Sequence, residues 1–233
     1  MTAAGSFETY GVSHLVMIGV FLAGLWPVAL LGRRWRHHPQ PAARWFAVVL
    51  VAVTLPLQVI DHLPGNFALT TSLPLHLSDI AAVGAAIALW TRNHTAICVT
   101  YYWGLLLSPQ ALLTPALASD FPDPKFLAFW GMHILVVWAA VFLTFGLGHR
   151  PTWRGLVRTI AITATWMLLV YPINLLLGTN YGFVNAKPST GSVLDLLGPW
   201  PVYLVVEVVV VGLLWVLMTW PWTRSRERRD AAV

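Results

Sequence analysis

The sequence predicts an all-α, polytopic membrane protein with seven transmembrane helices, and three observations predict it. Of 233 residues, 58% are hydrophobic and only 10% are charged, where a soluble domain carries about 25% charged residues. The mean hydropathy is +0.70. Thirteen Trp and sixteen Pro fit interfacial aromatics and interrupted helices. A disordered chain, a coiled coil and an ordinary soluble globule are excluded. A single Cys, Cys98, leaves no internal disulfide and argues against a cysteine-based metal site.

A membrane-spanning helix needs about 20 mostly apolar residues. Seven runs meet that demand: His14–Leu31, Ala43–Ile60, Leu73–Trp90, Ala96–Leu113, Phe126–Leu147, Leu156–Leu177 and Pro199–Trp220. The third and fourth are short and carry polar residues, which places them inside the bundle. The first is not a secretory signal, because Met1–Ser13 holds Glu8 and no Lys or Arg. Residues 1–222 read as one transmembrane domain and 223–233 as a basic tail.

Charge sets the orientation. All twelve Arg fall in the first, third and fifth loops and the tail: Arg33, Arg34, Arg36, Arg44, Arg92, Arg150, Arg154, Arg158, Arg224, Arg226, Arg228 and Arg229. The other side holds Lys125 and Lys187. Positively charged loops stay in the cytoplasm, so the N-terminus is expected outside and the C-terminus inside, in a bacterial plasma membrane. The basic tail then reads as a topology determinant touching anionic lipid, not as a nucleic-acid site. Trp35, Trp45, Trp90, Trp153, Trp220 and Trp222 fall at the inner boundary and Trp200 at the outer one.

Polar residues concentrate at the outer ends. They are His14; Gln58, Asp61 and His62; His76, Ser78 and Asp79; Ser108 and Gln110; His133; Asn174; and Tyr203 and Glu207. His133 lies about 10 Å into its helix at 1.5 Å per residue. Ionisable groups in a membrane are costly and usually face a bundle interior or a wet cavity. Pro56, Pro74, Pro109, Pro115, Pro172, Pro199 and Pro201 cluster in the same half, and such breaks are tolerated where neighbours or water satisfy the backbone. A polar vestibule open to the non-cytoplasmic side is expected. The 21-residue loop Gly178–Gly198 is expected to cap it.

Bland roles compete with functional ones. His14 and Asp61 read as hydrated helix-end residues. Gln58, Gln110 and Asn174 read equally as interhelical hydrogen-bond glue. His76 and Asp79, three apart, are expected to share a helix face. Ser78 lies about 200° round from His76, so a hydroxyl there would need a base from another helix, and His133 is the deep one.

The segments Leu73-Pro-Leu-His-Leu-Ser-Asp79, Gln110-Ala-Leu-Leu-Thr-Pro115, His133, Gly178-Thr-Asn-Tyr-Gly-Phe183, Lys187-Pro188 and Leu197-Gly-Pro-Trp-Pro-Val-Tyr203 together resemble the YwaF family of bacterial integral membrane proteins. The eukaryotic relatives of that family look like membrane phospholipid acyltransferases. The resemblance covers about Gly11 to Trp220. In the family the third-helix motif commonly reads PLHLC, and the acyltransferase relatives use that Cys with a His on a later helix. The resemblance therefore implies Ser78 at the nucleophile position and His133 at the partner position. More distant seven-helix relatives look like lipid-ester hydrolases with a Thr nucleophile. A Ser hydroxyl needs a general base far more than a thiol does, and a Ser there also fits a member without catalysis.

Three function classes fit these residues. The first is a lipid acyltransferase or acyl hydrolase acting on membrane lipids without a cofactor. His133 deprotonates Ser78, with His76 as the fallback base, and Asp79, Glu207 or Asn174 orients the imidazole. Gln110 or backbone amides hold the oxyanion, and Asn180, Tyr181, Lys187 and Tyr203 take the substrate. The second is a metal-dependent hydrolase using His76, His133 and Asp79 with His14 or His62. The third is a non-enzymatic lipid or small-solute binding, scaffold or transport protein. The sequence leaves the oligomeric state open.

Overall fold

The computed structural model describes residues 6–189 and 191–230, with side chains for all of these except 57 and 224–230. Seven helices run in chain order. They are α1 (Val12–Arg34), α2 (Pro39–Asp61), α3 (Leu77–Thr91), α4 (His94–Leu113), α5 (Pro124–Gly146), α6 (Trp153–Leu177) and α7 (Val202–Asp230). No strand forms among the described residues; an isolated antiparallel bridge joins Ser6 to Ser119. In α7 the stretch apolar enough to cross a membrane ends at Thr223, and helix continues to Asp230. The side chains of Arg224, Arg226, Arg228 and Arg229 lie outside the described ones.

Six helices are long and apolar enough to cross a membrane. The exception is α3, with 15 residues and a length of about 22 Å at 1.5 Å per residue. The sequence predicts its start at Leu73, and the helix begins four residues later. Pro74 opposes helix in the residue before it. His76 is the N-cap, extended at φ −63° and ψ 146°. The Asp79 carboxylate then accepts the His76 N–H at 3.0 Å, closing the first turn from within. His76 therefore stands at the helix mouth and not on a face shared with Asp79.

The other ends follow side-chain capping rules. The Asn93 side chain accepts from the N–H groups of Thr95 and Ala96, and Asp123 from that of Lys125 beside Pro124. The Thr152 hydroxyl accepts from Gly155 N–H. Gly178, at φ +64°, ends α6 in the left-handed conformation that costs glycine least.

Helices α4 and α5 form the centre. Their spanning windows are 56% and 61% buried, against 11–18% for α1, α2, α6 and α7, which therefore face lipid. Ala81, Ala85 and Ala88 of α3 are buried against Trp103 and Tyr102 of α4 and Phe142 of α5. Small residues suit such contacts, because lipid gives helices no hydrophobic push together and close packing supplies the attraction. Both central helices widen locally into π turns, at Trp103–Leu107 and Phe142–Gly146. In α4 the cause is two residues on: Pro109 cannot donate to the Leu105 carbonyl and its ring clashes with it. Ser108 N–H reaches back to Trp103 O instead.

Buried polar contacts tie the helices at each end. His14 is fully buried, which corrects the hydrated helix-end role. Its Nδ1 accepts Tyr10 N–H at 2.8 Å and its Nε2 donates to Leu112 O at 2.9 Å, locking α1 to the end of α4. At the opposite end Tyr102 and Thr219 hydroxyls meet at 2.7 Å and Tyr101 donates to Met218 O, holding α7 to α4. Arg36 donates to Gly146 O at 2.7 Å, Arg92 to Gln40 at 2.6 Å and Arg158 to Thr95 at 3.0 Å. These bonds gather the arginine-bearing loops at one end of the bundle.

Helices α1 and α5 cross at Gly32 and Gly146. A Cβ on Gly32 would sit 2.5 Å from Gly146 Cα, and one on Gly146 would sit 2.7 Å from Gly32 Cα. Backbone cannot yield as a side chain does. Gly32→Ala should therefore cost about 1–3 kcal/mol of overpacking, read as a lower unfolding temperature in detergent. Gly19→Ala, which meets nothing within 4 Å, is the control that should hold its temperature.

Candidate functional site

The end of the bundle opposite the arginines is closed by the 178–198 segment, as the loop composition suggests. Asn174, buried near the end of α6, organises it. Its amide donates to Tyr181 O at 2.9 Å and to Asn185 Oδ1 at 2.7 Å. Its Oδ1 accepts from the Thr179 hydroxyl at 2.9 Å and from Tyr181 N–H at 2.8 Å. All four hydrogen-bonding positions of the amide are used. Asn180 performs a similar service one turn on, accepting from Asn185 and Ala186 N–H and donating to Ala186 O.

The cap is fastened to the loop before α3. The Tyr181 hydroxyl donates to Leu69 O at 2.6 Å and accepts from Leu73 N–H at 3.1 Å. Burial, aided by the nearby Asp79 charge, pushes that phenol above its usual range, so it keeps its proton at ordinary pH. Trp166 of α6 donates to Leu75 O at 3.0 Å. The Tyr203 hydroxyl donates to Phe183 O. Lys187 pairs with Asp195 at 3.5 Å and lies over the Tyr203 ring at 5.8 Å.

Under this cap lie two imidazoles with opposite hydrogen-bonding patterns. His76 Nδ1 accepts Gly182 N–H at 3.2 Å, so its neutral form carries the proton on Nε2. His133, one turn beyond Phe129 in α5, donates from Nδ1 to Phe129 O at 2.8 Å, so its neutral form keeps a lone pair on Nε2. The two rings are close enough to interact electrostatically. Asp79 sits beside His76, held by His76 N–H and, at 3.4 Å, by the Gln58 amide of α2. Ser78 is half-buried in the first turn of α3, with no hydrogen-bond partner for its hydroxyl among the described residues. The Gln110 and Glu207 side chains are likewise half-buried and unbonded within the described residues. No Ser–His hydrogen bond forms among the described residues.

The structure thus brings together His76, Asp79, Tyr181 and Gln58, with Ser78 on the same turn as Asp79, while His133 packs and bonds against Phe129. It commits Asn174, Asn180, Tyr181 and Tyr203 to building the cap. Among the described residues no group of three or more His, Cys, Asp or Glu converges on a metal-binding position. Two residues that sequence reasoning missed are Gly182 and Trp166. Gly182 has φ +68°, and a Cβ there would lie 2.3 Å from the Trp166 ring, so the backbone amide that fixes the His76 tautomer needs glycine. The signal available was a lone Gly between two aromatics inside a long loop.

Replacing Asn174 by Ala strips four partners at once. Each buried group left unpaired costs about 1–3 kcal/mol. Asn174→Ala should lower the unfolding temperature and open 178–198 to limited proteolysis, whereas Asn180→Ser, at a more exposed site, should show a smaller change.

The comparisons with known proteins agree with this architecture. No curated protein and no solved structure matches the chain. One family model does, that of the TMEM164 family, over residues 9–219. That stretch holds nearly all of the six helices long enough to cross a membrane, α3, the cap, His76 and His133, and the chain is accordingly a multi-pass membrane protein of the TMEM164 family.

Proposed function

We propose that the chain is a lipid acyltransferase or acyl hydrolase. Its α3 would complete a seventh crossing, and its capped end would face the non-cytoplasmic side of a bacterial plasma membrane. The orientation rests on the arginine asymmetry. The acyl chemistry rests on the resemblance to the YwaF family and on one structural observation, the opposite tautomers of His133 and His76.

A general base needs a free lone pair, and His133 Nε2 has one. An oxyanion or leaving-group oxygen needs a donor, and His76 Nε2–H supplies one. This reverses the fallback role assigned to His76 from sequence: its only lone pair is already spent on Gly182. In the proposed reaction the Ser78 hydroxyl attacks the ester carbonyl of a membrane lipid as its proton passes to His133 Nε2. The C–O bond to the lysolipid then breaks, and the His133 proton goes to the departing oxygen. A second lysolipid hydroxyl or a water attacks the acyl-serine, returning the proton through His133 and freeing Ser78. His76 Nε2–H and the first-turn N–H groups of Leu77 and Ser78 favour the oxyanion, a form of stabilisation that is often the largest catalytic contribution. Asp79 fixes the first turn through His76 N–H. Glu207, Gln110 and Lys187 line the lipid side.

A second reading, a non-catalytic lipid-binding or scaffold protein, draws on a specific observation too. A concavity beside Arg44 and Trp90 and another along Ile80–Trp103 are both lined without Ser78.

Lipid mass spectrometry on membranes carrying each variant separates the two readings. Ser78→Ala should abolish lysolipid or phospholipid turnover, and His133→Ala should lower it about 10²–10⁴-fold, as loss of a general base does. His76→Ala should lower it about 10²–10³-fold, as loss of an oxyanion donor does. Ser78→Cys should retain turnover. An unchanged lipid profile across wild type and all four variants would reject the enzyme reading in favour of the second.

A further inference from the structure

The arginine-rich end holds a groove between the start of α2 and the end of α3. It has a volume of about 440 Å³ and is lined by Gln40, Pro41, Arg44, Trp45, Val48 and Trp90. The Arg44 guanidinium lies over the Trp90 ring at 5.2 Å. Such stacking orients the plane of the guanidinium and leaves its edge N–H groups available. A second cation stands beside it: Arg92 donates to Gln40 Oε1 at 2.6 Å, and that contact leaves the Arg92 charge uncompensated.

No ion pair among the described side chains engages Arg44 or Arg92. Among the described side chains the acids are Glu8, Asp61, Asp79, Asp120, Asp123, Asp195 and Glu207, all toward the opposite end; Glu227 and Asp230 follow on the α7 extension, and their side chains lie outside the described ones. The one ion pair among them, Lys187–Asp195, is also at that far end. The positive field at the arginine end is felt by a neighbour: burial first, then Arg92 and His94, push the His149 imidazole below its usual range. The groove walls are apolar and open to lipid, with Trp45 70% and Trp90 50% exposed. Indole rings at this level of a membrane protein mark the headgroup boundary.

We propose that this groove binds one anionic phospholipid, with its phosphate on the Arg44 guanidinium and an acyl chain along Trp45, Val48 and Trp90. Guanidinium groups hold phosphate through paired N–H donors, and Arg92 adds the second positive charge. The zwitterionic headgroup of phosphatidylcholine brings its own cation toward two arginines and is disfavoured. The site shares no residue with the Ser78 end, so it stands whatever the chemistry there proves to be.

The test uses the purified full chain, delipidated in neutral detergent and titrated with phosphatidylglycerol or phosphatidylcholine, with bound lipid counted by native mass spectrometry. Wild type should take up one phosphatidylglycerol saturably and phosphatidylcholine more weakly. Arg44→Gln should weaken phosphatidylglycerol binding about fivefold, the value of one basic residue at an anionic surface. Arg34→Gln, an exposed arginine at the same end but outside the groove, should leave it unchanged. Trp90→Leu should weaken it while Arg44 remains. Arg44 and Trp90 are both exposed, so neither change threatens folding. The proposal is overturned if Arg44→Gln binds as wild type does, if Arg34→Gln loses as much, or if phosphatidylcholine binds equally well. It is also overturned if glycerol 3-phosphate alone displaces the lipid at matched concentration, since the chain would then contribute nothing.

Discussion

The capped end of this protein depends on a single amide. Asn174 lies at the top of α6, buried, and spends every donor and acceptor it has on Thr179, Tyr181 and Asn185. Those bonds set the path of the backbone through Tyr181 and Gly182. That path in turn delivers the Tyr181 hydroxyl to Leu69 and Leu73, and the Gly182 N–H to His76. A buried amide is costly to leave unpaired, so the energetics that close the cap also fix the protonation pattern beneath it. The constraint behind this is general to membranes: a backbone polar group removed from water must find its partner within the protein.

The two ends solve that constraint differently. At the capped end, side-chain amides and hydroxyls fold back on loop carbonyls. At the arginine end, guanidinium groups reach across loops, as Arg36 does to Gly146 O and Arg158 to Thr95. One end is rich in neutral and acidic partners, and at the other Arg36, Arg92 and Arg158 bond neutral acceptors. The bundle between them is held by close helix contact, with alanine faces on α3 and the glycine crossing of α1 and α5.

Much of this was legible in the sequence. Long apolar runs identify spans because hydrocarbon thickness fixes helix length, and the other six runs became helices whose membrane-length stretches lie within a few residues of their expected ends. The third run misled at its start, because hydropathy does not register that Pro74 and the Asp79 carboxylate set the first turn at Leu77. His14 misled for another reason. Its distance from the helix end is short, but burial depends on what packs over that end, here Tyr10, Phe7 and Trp130. The polar residues of the candidate site could be named in advance, and their roles could not. Whether an imidazole offers a lone pair or a proton is decided by a bond from its other nitrogen, and those bonds come from Gly182, a hundred residues away, and from Phe129, four residues back.

The widened turn at Trp103–Leu107 has a reach beyond its own five residues. A π turn holds one residue more than the α-helix it interrupts, and each residue of an α-helix turns the chain by about 100°. The face that α4 presents below the turn is therefore out of phase with the face above it. Trp103 and Tyr102 lie in one buried cluster, and Leu112 lies in another with Phe126 and Trp130. The Leu112 carbonyl, beyond the widened turn, is the one that meets His14. A chain one residue shorter there would keep its hydropathy and its helix, yet aim the whole upper third of α4 at the wrong neighbours.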